Sequence, residues 1–575
     1  MAEVRRWLGA RECHEERGAV KHCVNGCEWI FDRPEFWAWI NQNHIQLFWV
    51  QGPPGCGKTF VYSKLLDHIS SGNREDSLYF FFCEADKERV SFSALLRSWT
   101  FQLIKLIWMS GHAQETLRGV QKDLAFRTTR EATPAEVLNL LMSLLNAHDM
   151  PSCFLTVDAL DECVDWQEFF RLLPQIPARF KVLLTSHDFP DSQEHLQPVT
   201  GRFSTLAMTP EMTQGDIDDY LCNALANLKT RTNADIPNHV KLRIKEKLGD
   251  SNGMFLWVRL IIEDIQGQTT VREINRCLDE LPKSLSERYS RIMDNINSQD
   301  DSYRLLAHKV FFWVLTAPRP LATSEFCAAL AVRPALDRAN AFDADEQLLG
   351  GPKSLITEVC GSLIRPRGDG GTLFPFHATA TQYLKQYMSN SGRMAEIASS
   401  YQVPQMLSSD GLAAAVCLRY LSSDLIGDWR DRAIDGTDAA DTILGSEKPH
   451  LNFLRYAVAH WFRHAQHVDG FEQEVILPLA KELLDSSRPN AGIIWRLYWF
   501  SDIEGDLDRE PGGCPSNFSG LHIAAYFGLQ NLVRVLLEGQ DPNVVDGSGR
   551  TPLWWAALKR HTHVVKLLIE AGADV

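Results

Sequence analysis

Apolar residues gather into short unbroken runs over the first two hundred positions, and into helical stripes beyond them. Ile45–Val50, Ser77–Cys83, Ser152–Val157 and Phe180–Leu184 are each five to seven residues long. Their apolar side chains fall on consecutive positions rather than alternate ones. Runs this short, bounded by polar turns, read as strands covered on both faces, as in a parallel sheet flanked by helices. Residues 45–200 therefore predict a parallel α/β sheet with its ligand at the carboxyl ends of the strands. From about position 210 the spacing becomes helical. Met212–Leu221 supplies a capping Thr or Asp and an amphipathic start, and Leu281–Tyr289 reads as loop, cap and new helix. Gly411–Leu421 and Phe453–His464 continue the helical pattern.

The end of the chain repeats itself. Leu521-His522-Ile523-Ala524-Ala525 recurs as Leu553-Trp554-Trp555-Ala556-Ala557, an offset of 553 − 521 = 32 residues. Leu532–Gly539 recurs as Val564–Ala571. With Gly549-Arg550-Thr551-Pro552-Leu553 this resembles ankyrin repeats, whose small-residue first helix packs under an apolar second one and whose exposed turns bind partners. Two repeats are visible, where roughly three are needed for independent stability. The sequence stops at Ala571–Val575, where another repeat would begin. The expectation is a capped array or a shortened form of a longer protein.

Chemistry is concentrated between the first and fourth apolar runs. Gly52-Pro53-Pro54-Gly55-Cys56-Gly57-Lys58-Thr59 fits the phosphate-binding loop G-x-x-x-x-G-K-[ST], with a strand before it and a helix opening at Phe60 after it. Glycines let backbone N–H groups turn inward around phosphate oxygens, and the following helix adds its dipole. Lys58 is expected at the β- and γ-phosphates and the Thr59 hydroxyl on Mg²⁺. A chance glycine-rich turn is the bland alternative, and context and spacing both argue against it. The third run ends in Asp158-Ala159-Leu160-Asp161-Glu162-Cys163. Asp158 is the candidate Mg²⁺-side carboxylate. Glu162 is the candidate general base for an attacking water, with Asp161 serving the metal or water network. The fourth run ends in Thr185-Ser186-His187, polar residues placed to touch a γ-phosphate. An acidic base distinguishes this pattern from small GTPases, which position water with Gln.

Composition narrows the setting. The 575 residues predict three to five domains. Hydrophobic content of 45% and charged content of 23% are ordinary for a globular chain. The net charge of −15 argues against broad nucleic-acid binding. No apolar stretch is long enough to span a membrane, and the N-terminus lacks a signal-peptide core. The thirteen cysteines are scattered, which fits free thiols in a reducing compartment and a cytoplasmic default, with nuclear entry left open. Cys13, His14, His22, Cys23 and Cys27 match no standard zinc finger. His460, His464 and His467 share a helical stripe that lacks an acidic or Cys partner, so both groups read as structural.

GPPGCGKT, FLTVDALDEC and KVLLTSHD together resemble the fungal NACHT class of STAND NTPases. The leader Cys27–Ile30 with Pro34–Ile40 resembles the segment before their P-loop. Val310–Leu315 with Pro318–Leu321 resembles the start of their winged-helix domain. The resemblance implies a multidomain chain: a helical leader at 1–44, a P-loop NTPase domain at 45–205, and a helical domain at 206–298. A winged-helix domain at 299–390, a helical connector at 391–510 and ankyrin repeats at 511–575 follow. It implies ATP or GTP with Mg²⁺ as the ligand, an ADP-closed and ATP-open switch, and a homo-oligomer in the triphosphate state. A protein partner would bind the repeats. Phe376-His377-Ala378-Thr379-Ala380-Thr381-Gln382-Tyr383-Leu384 matches the family pattern whose His contacts the diphosphate in the closed state. By its own chemistry His377 reads rather as a core histidine at a helix start; with the pattern match the two readings are even. One departure matters: the fungal pattern commonly has Arg where this chain has His187. Arg is always charged and His near neutral pH often is not, so the departure implies weaker phosphate sensing and slow hydrolysis. An alternative function is an ankyrin scaffold or gene-cluster regulator in which nucleotide is structural, although no DNA-reading motif is visible.

Overall fold

The computed structural model describes residues 1–10, 26–71, 77–84, 86–110, 132–148, 150, 152–187, 201–249, 251–332, 352–367, 371–389, 391–404, 407–423, 451–468, 470, 472–484, 489–500 and 514–575. Cys13, His14, His22 and Cys23 of the leader lie outside the described residues. The chain divides into two compact units, Met1–Arg291 and Ile292–Val575.

The first unit is built on five parallel strands: β1 (Leu47–Gln51), β2 (Ser77–Phe81), β3 (Phe154–Asp158), β4 (Lys181–Ser186) and β5 (Phe203–Ala207). Their order is β2-β3-β4-β1-β5. β1 and β3 thus flank β4, and the segments leaving their carboxyl ends meet over it, where open α/β sheets bind ligands. Four of these strands are the apolar runs of the sequence, shifted by a few residues. β5 was not legible: it is mostly part-exposed and carries no apolar run. Helices cover the sheet: α1 (Ala2–Leu8), α2 (Pro34–Asn41), α3 (Lys58–Ser71), α4 (Phe92–Ser110), α5 (Pro134–Leu145) and α6 (Gln167–Leu172). α5 starts where Thr133 and Glu136 cap each other's backbone N–H, with Pro134 at its first position.

The helical part of this unit, its helical arm, comprises α7 (Pro210–Ala226), α8 (Asn238–Gly249), α9 (Phe255–Gln266) and α10 (Val271–Asp279). α7 begins at Pro210, earlier than the capping Thr or Asp anticipated at 213–218. Ile217, Leu221, Val240, Ile244, Trp257, Ile261, Ile265 and Ile274 form its core. Each such side chain, fully buried, is worth roughly 1.5–3 kcal/mol. α11 (Leu285–Asn297) follows a Ser284 hydroxyl that accepts from Glu287 N–H at 3.2 Å, and the boundary between the units falls within it.

The second unit continues with α12 (Asp301–Thr316), α13 (Thr323–Leu330) and α14 (Pro352–Val359). An antiparallel ribbon of β6 (Ile364–Arg367) and β7 (Thr372–Pro375) comes next, then α15 (Ala378–Met388) and α16 (Ser391–Ser400). α17 (Ser409–Ser422), α18 (Leu454–Gln466), α19 (Glu472–Leu483) and α20 (Pro489–Phe500) form the helical connector. Two ankyrin helix pairs close the described chain: α21 (Gly520–Tyr526) with α22 (Gln530–Leu537), and α23 (Pro552–Leu558) with α24 (Thr562–Glu570). His522 locks the first pair to the second, its Nδ1 accepting from Ser519 N–H and its Nε2 donating to the Arg550 carbonyl at 3.1 Å.

Candidate functional site

β1 delivers the chain into the loop Gly52–Thr59, and α3 opens at Lys58, two residues earlier than the sequence implied. Lys58 and Thr59 therefore sit in the first helical turn, next to the positive end of the dipole. Gly55 and Gly57 take φ of 79° and 102°, conformations that side-chain-bearing residues rarely adopt. Leu256, at the start of α9, donates its N–H to the Gly55 carbonyl at 3.0 Å. A Cβ on Gly55 would stand 2.9 Å from Leu256 Cβ, so the loop and the helical arm meet in direct contact. Lys58 Nζ lies back across its own loop, donating to the Gly52 carbonyl at 2.8 Å and to Pro53 at 3.1 Å.

The acidic side stands on β3 and β4. Asp158 is 3% exposed and accepts from the Thr185 hydroxyl and from the Thr59 hydroxyl. Thr185 Oγ1 in turn accepts from the N–H of Ala159, whose left-handed φ of 57° turns the chain sharply off the strand. Burial lifts the Asp158 carboxyl to a pKa of about 6 against the pull of Thr185 and Thr59. Glu162 accepts the Glu84 N–H at 2.7 Å; burial, with the charges of Asp161 and Asp158, lifts it to about 8. Burial also raises Asp161, but hydrogen bonding and charge from His187, together with Lys58, outweigh it and hold its pKa below the ordinary value. His187 Nε2 lies 2.7 Å from one Asp161 oxygen, and the His187 N–H donates to the other at 3.2 Å.

The three residues expected to face the γ-phosphate thus divide. Thr185 is tied to Asp158 and His187 to Asp161. Ser186 is fully buried; its hydroxyl accepts from Trp49 Nε1 at 2.8 Å and donates to the His187 carbonyl at 2.7 Å.

Beside the loop lies a cavity of about 440 Å³. Its walls include Cys27 of the leader, Phe60 of α3, Met208 after β5, Tyr220 of α7, and Phe255 and Arg259 of α9. Phe255 stands 6.1 Å from Phe60 and 4.9 Å from Tyr220, centroid to centroid, which makes an aromatic wall of the kind that stacks on a planar ring. Motif reading missed this cavity. Tyr220 and Cys27 carried only a helical and a leader signal, and Phe255 and Arg259 carried none, because their meeting depends on tertiary packing.

In the second unit His377 caps α15: its Nδ1 accepts from Thr379 N–H at 3.2 Å. His464 Nδ1 meets Asp410 at 2.7 Å and its Nε2 meets the Tyr456 hydroxyl at 2.9 Å, so α17 supplies the acidic partner that the α18 stripe lacks. Among the described residues no group of three or more His, Cys, Asp or Glu side chains is arranged to hold a metal. No described helix is long and apolar enough to cross a membrane.

Residues 25–187 match the family model described as Nephrocystin 3, N-terminal, and residues 506–575 match Ankyrin repeats (3 copies). The vegetative incompatibility protein HET-E-1 of Podospora anserina is 24% identical over 369 residues, covering 62% of this chain and 26% of that protein. The chain thus spans about a quarter of the length of that curated relative. Among solved structures, a STAND protein with a tetratricopeptide repeat sensor from Pyrococcus horikoshii aligns at TM-score 0.33 and 12% identity, over 94% of this chain and 76% of that one. Cdc6p from Pyrobaculum aerophilum aligns at TM-score 0.27 and 13% identity, over 63% of this chain and 95% of that one.

Proposed function

We propose that this chain, a NACHT-type P-loop domain followed by helical domains and ankyrin repeats, is a nucleotide-dependent switch whose helical arm responds to the ligand at the loop. One observation carries the reading. The Gly55 carbonyl, inside the phosphate loop, accepts a hydrogen bond from the first turn of α9, and α9 also walls the neighbouring cavity. A phosphate that reshapes the loop must therefore act on the arm.

The residues fit a Mg²⁺-nucleoside triphosphate. The glycine cradle would close around the phosphates, and the aromatic wall of Phe60, Tyr220 and Phe255 would take the base. Lys58 would exchange the Gly52 and Pro53 carbonyls for phosphate oxygens. Thr59 and Asp158 are adjacent oxygen donors suited to the metal, which supplies positive charge to the phosphates. Glu162 would take a proton from water. With its carboxyl held near pH 8, most of it is protonated at neutral pH, so turnover is slow and resets the switch. ADP would favour the closed state and ATP an assembled one, with a protein partner at the ankyrin repeats. The slow base also supports the second reading, a scaffold that keeps its nucleotide as a structural element.

The test is to purify the full chain, identify its nucleotide, and compare turnover and oligomer size for wild type, Lys58→Ala and Glu162→Gln. Lys58→Ala should lose nucleotide. Glu162→Gln should retain triphosphate and shift toward larger assemblies. Equal size distributions in all three would remove the switch and leave the scaffold.

A further inference from the structure

Asp216, on the cavity-facing side of α7, is bonded twice to the leader that walls the opposite side. Its Oδ1 accepts the Cys27 N–H at 2.9 Å and its Oδ2 accepts the Trp29 indole N–H at 2.9 Å. Gly26, φ 154°, comes so close that a Cβ there would stand 2.9 Å from Asp216 Oδ1. Cys27 is itself left-handed at φ 59°, a conformation costly for a side-chain-bearing residue. Two consecutive residues thus hold unusual backbone angles, and the bond that fixes them is the carboxylate of another element. The same short segment is anchored on its other side by the ion pair of Glu28 with Lys64 of α3. The Arg33 guanidinium lies 5.7 Å from the Trp29 ring, at the N-cap of α2, which packs against β1 and β5.

We propose that Asp216 is a positioning residue: it latches the strap Gly26–Trp29 to the helical arm and thereby sets how long a nucleotide stays in the cavity. The proposal rests on the reading of that cavity as the base site. The strap joins the phosphate-loop helix, through Lys64, to α7, through Asp216, and both strap and α7 contribute walls to the cavity. A carboxylate accepting two donors at once is worth more than two neutral bonds, and it holds only one relative placement of strap and arm. Movement of α7 breaks both bonds together. The strap then loses the contact that holds Gly26 and Cys27 in their angles, and one cavity wall goes with it. Nucleotide release is in this way tied to arm position through a single side chain.

The experiment follows release of a fluorescent methylanthraniloyl-ADP, or the GDP analogue if the protein prefers it, from the full chain by stopped flow. Asp216→Ala should release it about tenfold faster or more, as expected for loss of bonds to a charged acceptor. Gly26→Ala, which attacks the latch from the strap side, should also accelerate release. Trp29→Phe should do so by about threefold, and by nothing further once Asp216 is Ala. The melting temperature without nucleotide separates a latch from general unfolding, since Trp29→Phe should leave it near wild type. Phe255→Ala probes the cavity itself. If Phe255→Ala accelerates release while the latch variants match wild type, the latch is wrong and the cavity reading stands. If all four match wild type, the cavity is not the base site and both fall. Additive effects of Trp29→Phe and Asp216→Ala would also overturn the latch.

Discussion

Two parts of this molecule bury polar and ionisable groups, and they do so to different ends. At the carboxyl ends of β3 and β4, Asp158, Asp161 and Glu162 crowd beside an open loop, and two of them carry strongly raised pKa values. In the helical connector, Asp410, His464 and Tyr456 form an equally close chain, with Tyr456 pushed well above its ordinary pKa by burial. In the connector cluster Tyr456 and His464 are fully buried between helices, with Asp410 part-exposed at its edge. The carboxylates of the first unit stand where strands end beside a loop that leaves room for a ligand. Burial and shifted titration do not by themselves identify a site; their placement at strand ends beside a phosphate loop does.

Substitutions can separate the two regions, and the largest effect belongs to the loop. Lys58→Ala should weaken triphosphate binding by roughly a hundredfold or more, since it removes the loop cation proposed to meet the phosphates, as measured by equilibrium titration. Glu162→Gln should lower turnover about a hundredfold. In wild type the working form of Glu162 is the carboxylate, which grows as pH rises toward and past 8, so turnover should climb between roughly pH 7 and 9. The variant should lose that rise. In the connector, His464→Ala should cost about 1–3 kcal/mol of stability, seen as a lower melting temperature, and should leave nucleotide release unchanged. His377→Ala removes a helix cap, so about 1 kcal/mol of stability is the structural expectation. If His377 also holds the closed state, ADP release should quicken as well. Tight ADP retention would leave it a cap only.

The sequence made the phosphate side readable because its chemistry is local. Gly52–Thr59 and Asp158–Glu162 are contiguous, and each follows an apolar run that reveals its strand. The partnerships across the chain were not readable. Thr185 with Asp158, Asp161 with His187, and Asp216 with Cys27 and Trp29 depend on strand order and helix packing, which leave no local periodicity. β5 escaped notice because only Leu206 of its five residues is buried, so it carries no apolar run, unlike the other edge strand, β2. The partners of the Ser186 hydroxyl, Trp49 and the His187 carbonyl, were likewise not readable from the strand-end position alone.

The central claim is that nucleotide at the loop governs the arm and, through it, assembly. Multi-angle light scattering of the full chain with Glu162→Gln, loaded in turn with diphosphate and triphosphate, tests it most directly. The account predicts a monomer with diphosphate and a larger species with triphosphate that returns to monomer on exchange. The same mass in both states, with nucleotide demonstrably bound, would contradict it.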